Sequence, residues 1–291
     1  SETADTISYQ QSNGETVTMH KLPKRPVVLH ISLTGMWYAA GGKAIARPHA
    51  PRLHVLPEEA RTLPEVGDFY NPNLEKLLAL KPDLVLLHSK RGKHWEVQKL
   101  LRSAGVESVC VDYTNYDDFL TLLDFFSRVN GNPPEAEAVR KRITSEVDAL
   151  CAETAKLKPV TFISMIVSGT GFLSETPRGN TANMAARLGG RNLVPAASVV
   201  RVKYSMEQLL MSDPDVIFLL CAGSNNKLSS RVRAILDKRP DWRNLKAVRN
   251  NRVYVLDAES YLYLPGKRYP EAFLGLAKFL YPEKDWEKNV R

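Results

Sequence analysis

Tyrosine, tryptophan, phenylalanine and arginine dominate the side chains of this sequence that could hold a small molecule. Trp37, Tyr38, Arg47, Phe69, Tyr70 and Arg91 fall in the first half, and Phe172, Arg178, Tyr261, Tyr263 and Arg268 in the second. An aromatic ring offers flat apolar contact with a polar tip. An arginine fork matches a carboxylate and also stacks on a planar group. Together they suit a large, flat or anionic chelate. Bare-metal chemistry fits less well. His20, His30, His49, His54, His88 and His94 all lie in the first half. A metal site drawing on both halves would need Glu175, Asp257 or Glu259 as hard oxygen donors. His88 and His94, which flank one loop, and Tyr70 are the candidates for touching a metal directly.

No comparable set points to catalysis. The sequence has no G-x-S-x-G elbow, no phosphate-binding glycine loop and no H-E-x-x-H. Ser168-Gly169-Thr170-Gly171 follows an apolar run but lacks the lysine of a phosphate loop, so it reads as a ligand-facing turn. Cys110, Cys151 and Cys221 form no C-x-x-C pair. Cys110 and Cys221 sit in apolar runs, where a thiol is buried and inert. Lys and Arg number 40 against 32 Asp and Glu, a net charge of +8. That excess is either a solvated basic surface or an attraction for an anionic partner. It is spread along the chain with no basic arm or helix, so no nucleic-acid partner is expected. No run of about 18 apolar residues exists to span a bilayer. Ser1 to Asn13 is polar and carries no leader pattern. The expectation is a cytosolic protein or a mature chain whose leader has been removed.

The elements that must position these residues alternate. Strands are predicted at 27–31, 44–46, 84–87, 106–111, 160–167, 216–220 and 252–256, from short apolar runs bounded by Pro, Gly and Asp. Helices are predicted at 32–41, 74–80, 95–104, 180–188, 206–211, 231–236 and 269–280. Asn73 is a candidate N-cap. Such alternation implies parallel βαβ units. It is interrupted once, by a helix over 116–129 and a long charged amphipathic helix over 135–156. Ligands of open α/β sheets gather at the carboxyl ends of the strands, which is the rule that selects the aromatic and basic residues above.

The two halves rhyme. Asn73-Leu74-Glu75-Lys76-Leu77-Leu78 runs into Lys81-Pro82-Asp83-Leu84-Val85-Leu86. Ser205-Met206-Glu207-Gln208-Leu209-Leu210 runs into Asp213-Pro214-Asp215-Val216-Ile217-Phe218. Each is a short helix with Glu at the same place, a Pro-Asp turn and a buried strand. An internal duplication joined by one long helix accounts for it.

With Leu63-Pro64-Glu65-Val66-Gly67-Asp68 before them and Pro240-Asp241-Trp242-Arg243-Asn244-Leu245 after, these pieces resemble the helical-backbone class of ABC-transporter solute-binding proteins. That class carries vitamin B12, haem and ferric siderophores, and a related branch carries free metal ions. The resemblance covers nearly the whole chain. It implies an α/β fold of two Rossmann-like lobes with central parallel sheets, 1–133 and 159–291. One long backbone helix, 134–158, would join them, with the ligand cleft between the lobes. It implies the substrate-binding component of an importer that captures an iron complex and delivers it to a membrane permease. A ferric siderophore leads, then haem or a corrinoid, then a bare metal ion. An enzyme on a nitrogenase-component-like fold is the reading from a different class, and its cluster-holding cysteines have no counterpart in exposed loops here. No intrinsic cofactor is implied; iron chelate or haem would be the bound ligand. The partners are then a small-molecule metal complex and the permease, the chain being a monomer. The place is periplasmic or otherwise extracytoplasmic, free or lipid-anchored. The Phe69-Tyr70 loop aligns with the loop that stacks on ligand in B12 carriers, and Tyr70 could instead ligate iron as a tyrosine does in haem carriers. Glu75 and Glu207 match the glutamates that dock on arginines of the two permease subunits.

Overall fold

A computed structural model describes residues 2–68, 70–90, 93–168, 171–220, 234 and 236–286. The chain forms two compact units. One comprises Ser1–Tyr113 with Asp117–Arg142, the other Thr114–Tyr116 with Ile143–Arg291.

The first unit opens with an antiparallel hairpin, β1 (Thr6–Gln10) and β2 (Thr16–His20), turned at Gly14 with φ +86°. The start of the chain is polar in composition, yet Val17 and Met19 alternate with exposed neighbours, the period of a half-buried strand. There follow β3 (Pro26–Val28), α1 (Ile31–Ala39), the two-residue strands β4 (Gly67–Asp68) and β5 (Asn71–Pro72), and α2 (Leu74–Ala79). Then come β6 (Leu84–His88), α3 (His94–Ser103), β7 (Glu107–Val111) and α4 (Tyr116–Val129). β3, β6 and β7 make a parallel sheet in that order. β6 is buried at all five residues, as a strand covered on both faces must be. Its core joins Val27, Val85 and Leu87 to Leu77, Val97 and Leu101 from the covering helices. The predicted strand at 44–46 reduces to one bridge between Val27 and Ala46; Pro48 has no N–H to carry the ladder further.

α5 (Pro134–Thr154) follows, 21 residues and about 30 Å long. The boundary between the two units falls inside it, between Arg142 and Ile143.

The second unit is built on β8 (Thr161–Ser168), paired antiparallel with β9 (Gly171–Glu175). After α6 (Asn180–Arg187) and β10 (Arg191–Asn192), β11 (Arg201–Tyr204) pairs antiparallel with β9. α7 (Met206–Ser212) leads into β12 (Val216–Leu220), which lies parallel to β8 and to β13 (Val253–Leu256). The short helices α8 (Pro240–Arg243) and α9 (Lys246–Arg249) precede β13, and α10 (Tyr269–Leu280) closes the unit. The sheet order is β11-β9-β8-β12-β13, with β10 also on β8. The antiparallel strands β9 and β11 are absent from the predicted alternation. The predicted helix at 231–236 falls almost wholly outside the described residues.

The rhyme is structural. α2 is capped by the Asn73 side chain accepting the Lys76 N–H, and α7 by the reciprocal Ser205–Gln208 capping box. Each helix ends on a left-handed residue, Lys81 at φ +47° and Asp213 at φ +38°, immediately before proline. The aspartate after each proline then ties the new strand to the start of its neighbour. Asp83 accepts the N–H groups of Lys24 (2.6 Å) and Arg25 (2.9 Å), which lead into β3. Asp215 accepts the N–H (2.9 Å) and hydroxyl (2.8 Å) of Thr161, the first residue of β8.

Candidate functional site

At the carboxyl ends of β3, β6 and β7 the chain turns three rings inward. His30, His88 and Tyr113 are buried. His30 and His88 meet edge-on with centroids 4.9 Å apart, and His88 lies 4.6 Å from Tyr113. The Tyr113 hydroxyl is 2.7 Å from His30 Nδ1. His88 Nδ1 accepts the Lys90 N–H at 3.1 Å, and His94 Nδ1 accepts the His88 N–H at 2.8 Å. A ring nitrogen that accepts a backbone N–H has no lone pair left for a metal. The two histidines thus spend one nitrogen each on shaping the loop after β6. Trp95 Nε1 donating to Ser89 O and the Lys90–Asp112 ion pair at 3.0 Å hold the same loop. Among the described residues no group of three or more His, Cys, Asp or Glu could hold a metal ion.

The predicted residues of this unit part into three groups. Tyr70 is 53% exposed, at the turn between β4 and β5, where its N–H donates to Asp68 Oδ1 at 2.7 Å. Trp37 and Tyr38 are taken up by packing. Trp37 is fully buried edge-on against Phe126, with Nε1 donating to Lys43 O. Tyr38 packs on Ala50, Leu56 and Ala60, and its hydroxyl accepts the Ala44 N–H. Arg47 is drawn into an internal ion pair with Glu65 at 3.1 Å, which His49 shares from the other carboxylate oxygen. Phe69 and Arg91 lie outside the described residues.

In the second unit the exposed residues beyond the strands include Arg178, Asp257, Tyr263, Lys267 and Arg268. Tyr263 follows the π turn Ala258–Leu262, and Arg268 ends the 3-10 turn Gly266–Arg268 before α10. Phe172 and Tyr261 are buried. Phe172 joins the core with Ile163, Leu209 and Trp242. Tyr261 places its hydroxyl where a Cβ on Gly275 would meet it at 2.2 Å. Burial pushes its phenol up to about 12, so it stays neutral. Glu175, one of the oxygen donors that a bare-metal site would need, is fully buried inside the sheet. Gly169 and Thr170, in the turn expected to face ligand, lie outside the described residues.

Burial pushes the Cys110 thiol up to about 12 and raises that of Cys151; Cys221 lies outside the described residues. Glu75 and Glu207 are both exposed and both stand second in the first turn of their helices.

The profile of the periplasmic binding protein family matches residues 27–260, and the chain belongs to that family. Among relatives, the Fe(3+)-citrate-binding protein YfmC of Bacillus subtilis (strain 168) is 24% identical over 279 residues, 93% of this chain and 84% of its own length. YhfQ of the same strain is 26% identical over 206 residues, 66% of this chain; the chain spans only 61% of that relative. The crystal structure of Staphylococcus aureus IsdE complexed with heme superposes with a TM-score of 0.76 at 20% identity, covering 88% of this chain and 98% of that one. The fold is the two-lobed α/β fold the sequence resemblance implies, and the family and its relatives are transport substrate-binding proteins, not enzymes. The chain is the substrate-binding component of an ABC importer.

Proposed function

We propose that this protein captures an anionic ferric chelate, a ferric siderophore first among them, and delivers it to a membrane permease. One observation carries the reading. Among the exposed side chains beyond the strands are phenols and cations, Tyr70, Lys90 and Lys93 in the first unit and Arg178, Tyr263, Lys267 and Arg268 in the second, along with the carboxylates Asp68 and Asp257. Cations answer the carboxylate or catecholate oxygens of such a chelate, and phenols stack on it. The similarity to a ferric-citrate binder supports the same class. Haem is the second reading, favoured by the likeness to IsdE and by Tyr70, a phenol exposed enough to reach iron. On this reading the protein works as a monomer outside the cytoplasmic membrane, free or lipid-anchored, with lobes 1–133 and 159–291 joined by 134–158. Glu75 and Glu207 are its contacts with the permease, charge complementarity setting orientation and encounter rate.

The test is to purify the protein from its native host, record the absorption spectrum and measure iron. A broad visible charge-transfer band with stoichiometric iron is expected. A Soret band would replace the chelate with haem. A preparation that neither carries iron nor takes up ferric citrate, ferric desferrioxamine or haemin would end the reading.

A further inference from the structure

Glu175 ends β9 with its carboxylate fully buried. Oε2 accepts the N–H of Ala182 at 3.0 Å and the Ser164 hydroxyl at 3.1 Å, and the Thr181 N–H also donates to this carboxylate. Arg201 Nη2, from β11, lies 3.6 Å from Oε1. One side chain thus joins β8, β9 and β11 to the first turn of α6. Gly179 makes room for it, since a Cβ there would come within 2.5 Å of Glu175 Cδ. The first turn of α6 in turn holds the segment after β13. Asn180 Nδ2 donates to the carbonyls of Tyr261 (3.1 Å) and Tyr263 (3.0 Å), and the Thr181 hydroxyl donates to Tyr261 O at 3.0 Å. Tyr269 donates to Asn180 Oδ1 at 2.9 Å and fixes which way that amide faces. Arg178 lies two residues before Asn180, on the connection that Glu175 anchors.

We propose that Glu175 is a positioning residue for ligand capture, pinning α6 and, through Asn180 and Thr181, holding Arg178 and Tyr263 in place. This rests on the reading that Arg178 and Tyr263 face the ligand. Oε1 is buried without a hydrogen-bond partner, Arg201 standing off at 3.6 Å, so this carboxylate costs more to place than an apolar side chain would, unless the arrangement it fixes is used. Loops of modest stability must be held in one geometry for binding to be tight, because ordering them on binding subtracts from affinity.

The experiment is amide hydrogen exchange on the full chain with Glu175→Ala, Glu175→Gln and Asn180→Ala, paired with fluorescence titrations of ferric citrate and haemin. Glu175→Ala is expected to speed exchange in 178–183 and 258–263 by about tenfold or more, with β8 and β12 protected as before. Glu175→Gln, which keeps an acceptor oxygen for the Ala182 N–H, restores most of that protection. Asn180→Ala loosens 258–263 alone, and it decides the second link should Glu175→Ala not fold. Affinity falls about tenfold in Glu175→Ala and recovers in Glu175→Gln. Exchange that is unchanged, or that rises evenly over the whole unit, overturns the proposal. So does wild-type affinity in Glu175→Ala. If the wild type binds neither probe, the ligand assignment fails while the exchange pattern still decides whether Glu175 pins the two segments.

Discussion

Trp37 and Tyr70 are both ring-bearing residues in loops or short helices after a strand, and the structure separates them by depth. Trp37→Ala removes a fully buried indole and is expected to cost about 3–5 kcal/mol of stability. In denaturant titrations its midpoint should fall while ligand affinity, measured well below that midpoint, stays at the wild-type value. Tyr70→Ala should do the reverse, leaving the midpoint within about 0.5 kcal/mol and weakening binding. Equal affinity in the Tyr70 variant would remove that phenol from the site. The sequence told residue type here, not depth. Trp37 is buried by Phe126 and by the close approach of Gly42, whose Cβ would come 2.3 Å from the indole. Phe126 is far along the chain, and no local spacing announces it. The same limit hid the ring cluster of His30, His88 and Tyr113, which three separate strands bring together. Tyr261 and Phe172 are buried for the same reason, and Glu175, one of the oxygen donors a bare-metal site would need, has N–H groups, the Ser164 hydroxyl and an arginine around it.

What was legible at the scale of elements was whatever local spacing dictates. The helix–Pro-Asp–strand unit could be read twice because its cap, its left-handed stop and its strand all fall within a short window. The antiparallel pair β9 and β11 could not, since its partners are separated by α6 and β10. Asp215 shows how firmly the repeated unit is tied. Burial works to raise its carboxyl, but the Lys246 ammonium and the Thr161 N–H and hydroxyl outweigh it and hold the group at about 2. An aspartate lowered in the folded state adds stability that is complete above its ordinary value of 3.8 and is lost as pH falls toward 2. Asp215→Ala is therefore expected to cost about 1–3 kcal/mol at neutral pH, from the unmet Thr161 N–H and the lost ion pair. The deficit should shrink steadily between pH 4 and pH 2 in thermal melts. A deficit that is flat across this window would mean that packing, not the charge, joins β12 to β8.

At the scale of the whole molecule, the duplicated unit supplies each half with an exposed glutamate at one defined point. Glu75 belongs to the first compact unit and Glu207 to the second, each beside a satisfied cap that fixes the turn it stands on. Neither forms an ion pair among the described residues. A partner built from two like subunits wants one contact per half, and charge complementarity at such a contact sets orientation and encounter rate. Reversing either charge, Glu75→Arg or Glu207→Arg, is expected to lower uptake in a complemented host by about tenfold, the loss of one charged contact. The double variant should abolish uptake. Affinity for ferric citrate or haemin and the thermal midpoint should hold in all three, because both side chains stand in solvent. The two singles should be alike in size if the halves dock equivalently. Undiminished uptake in the double variant would show that the permease reads another surface, and a fall in ligand affinity would move these glutamates from docking to capture.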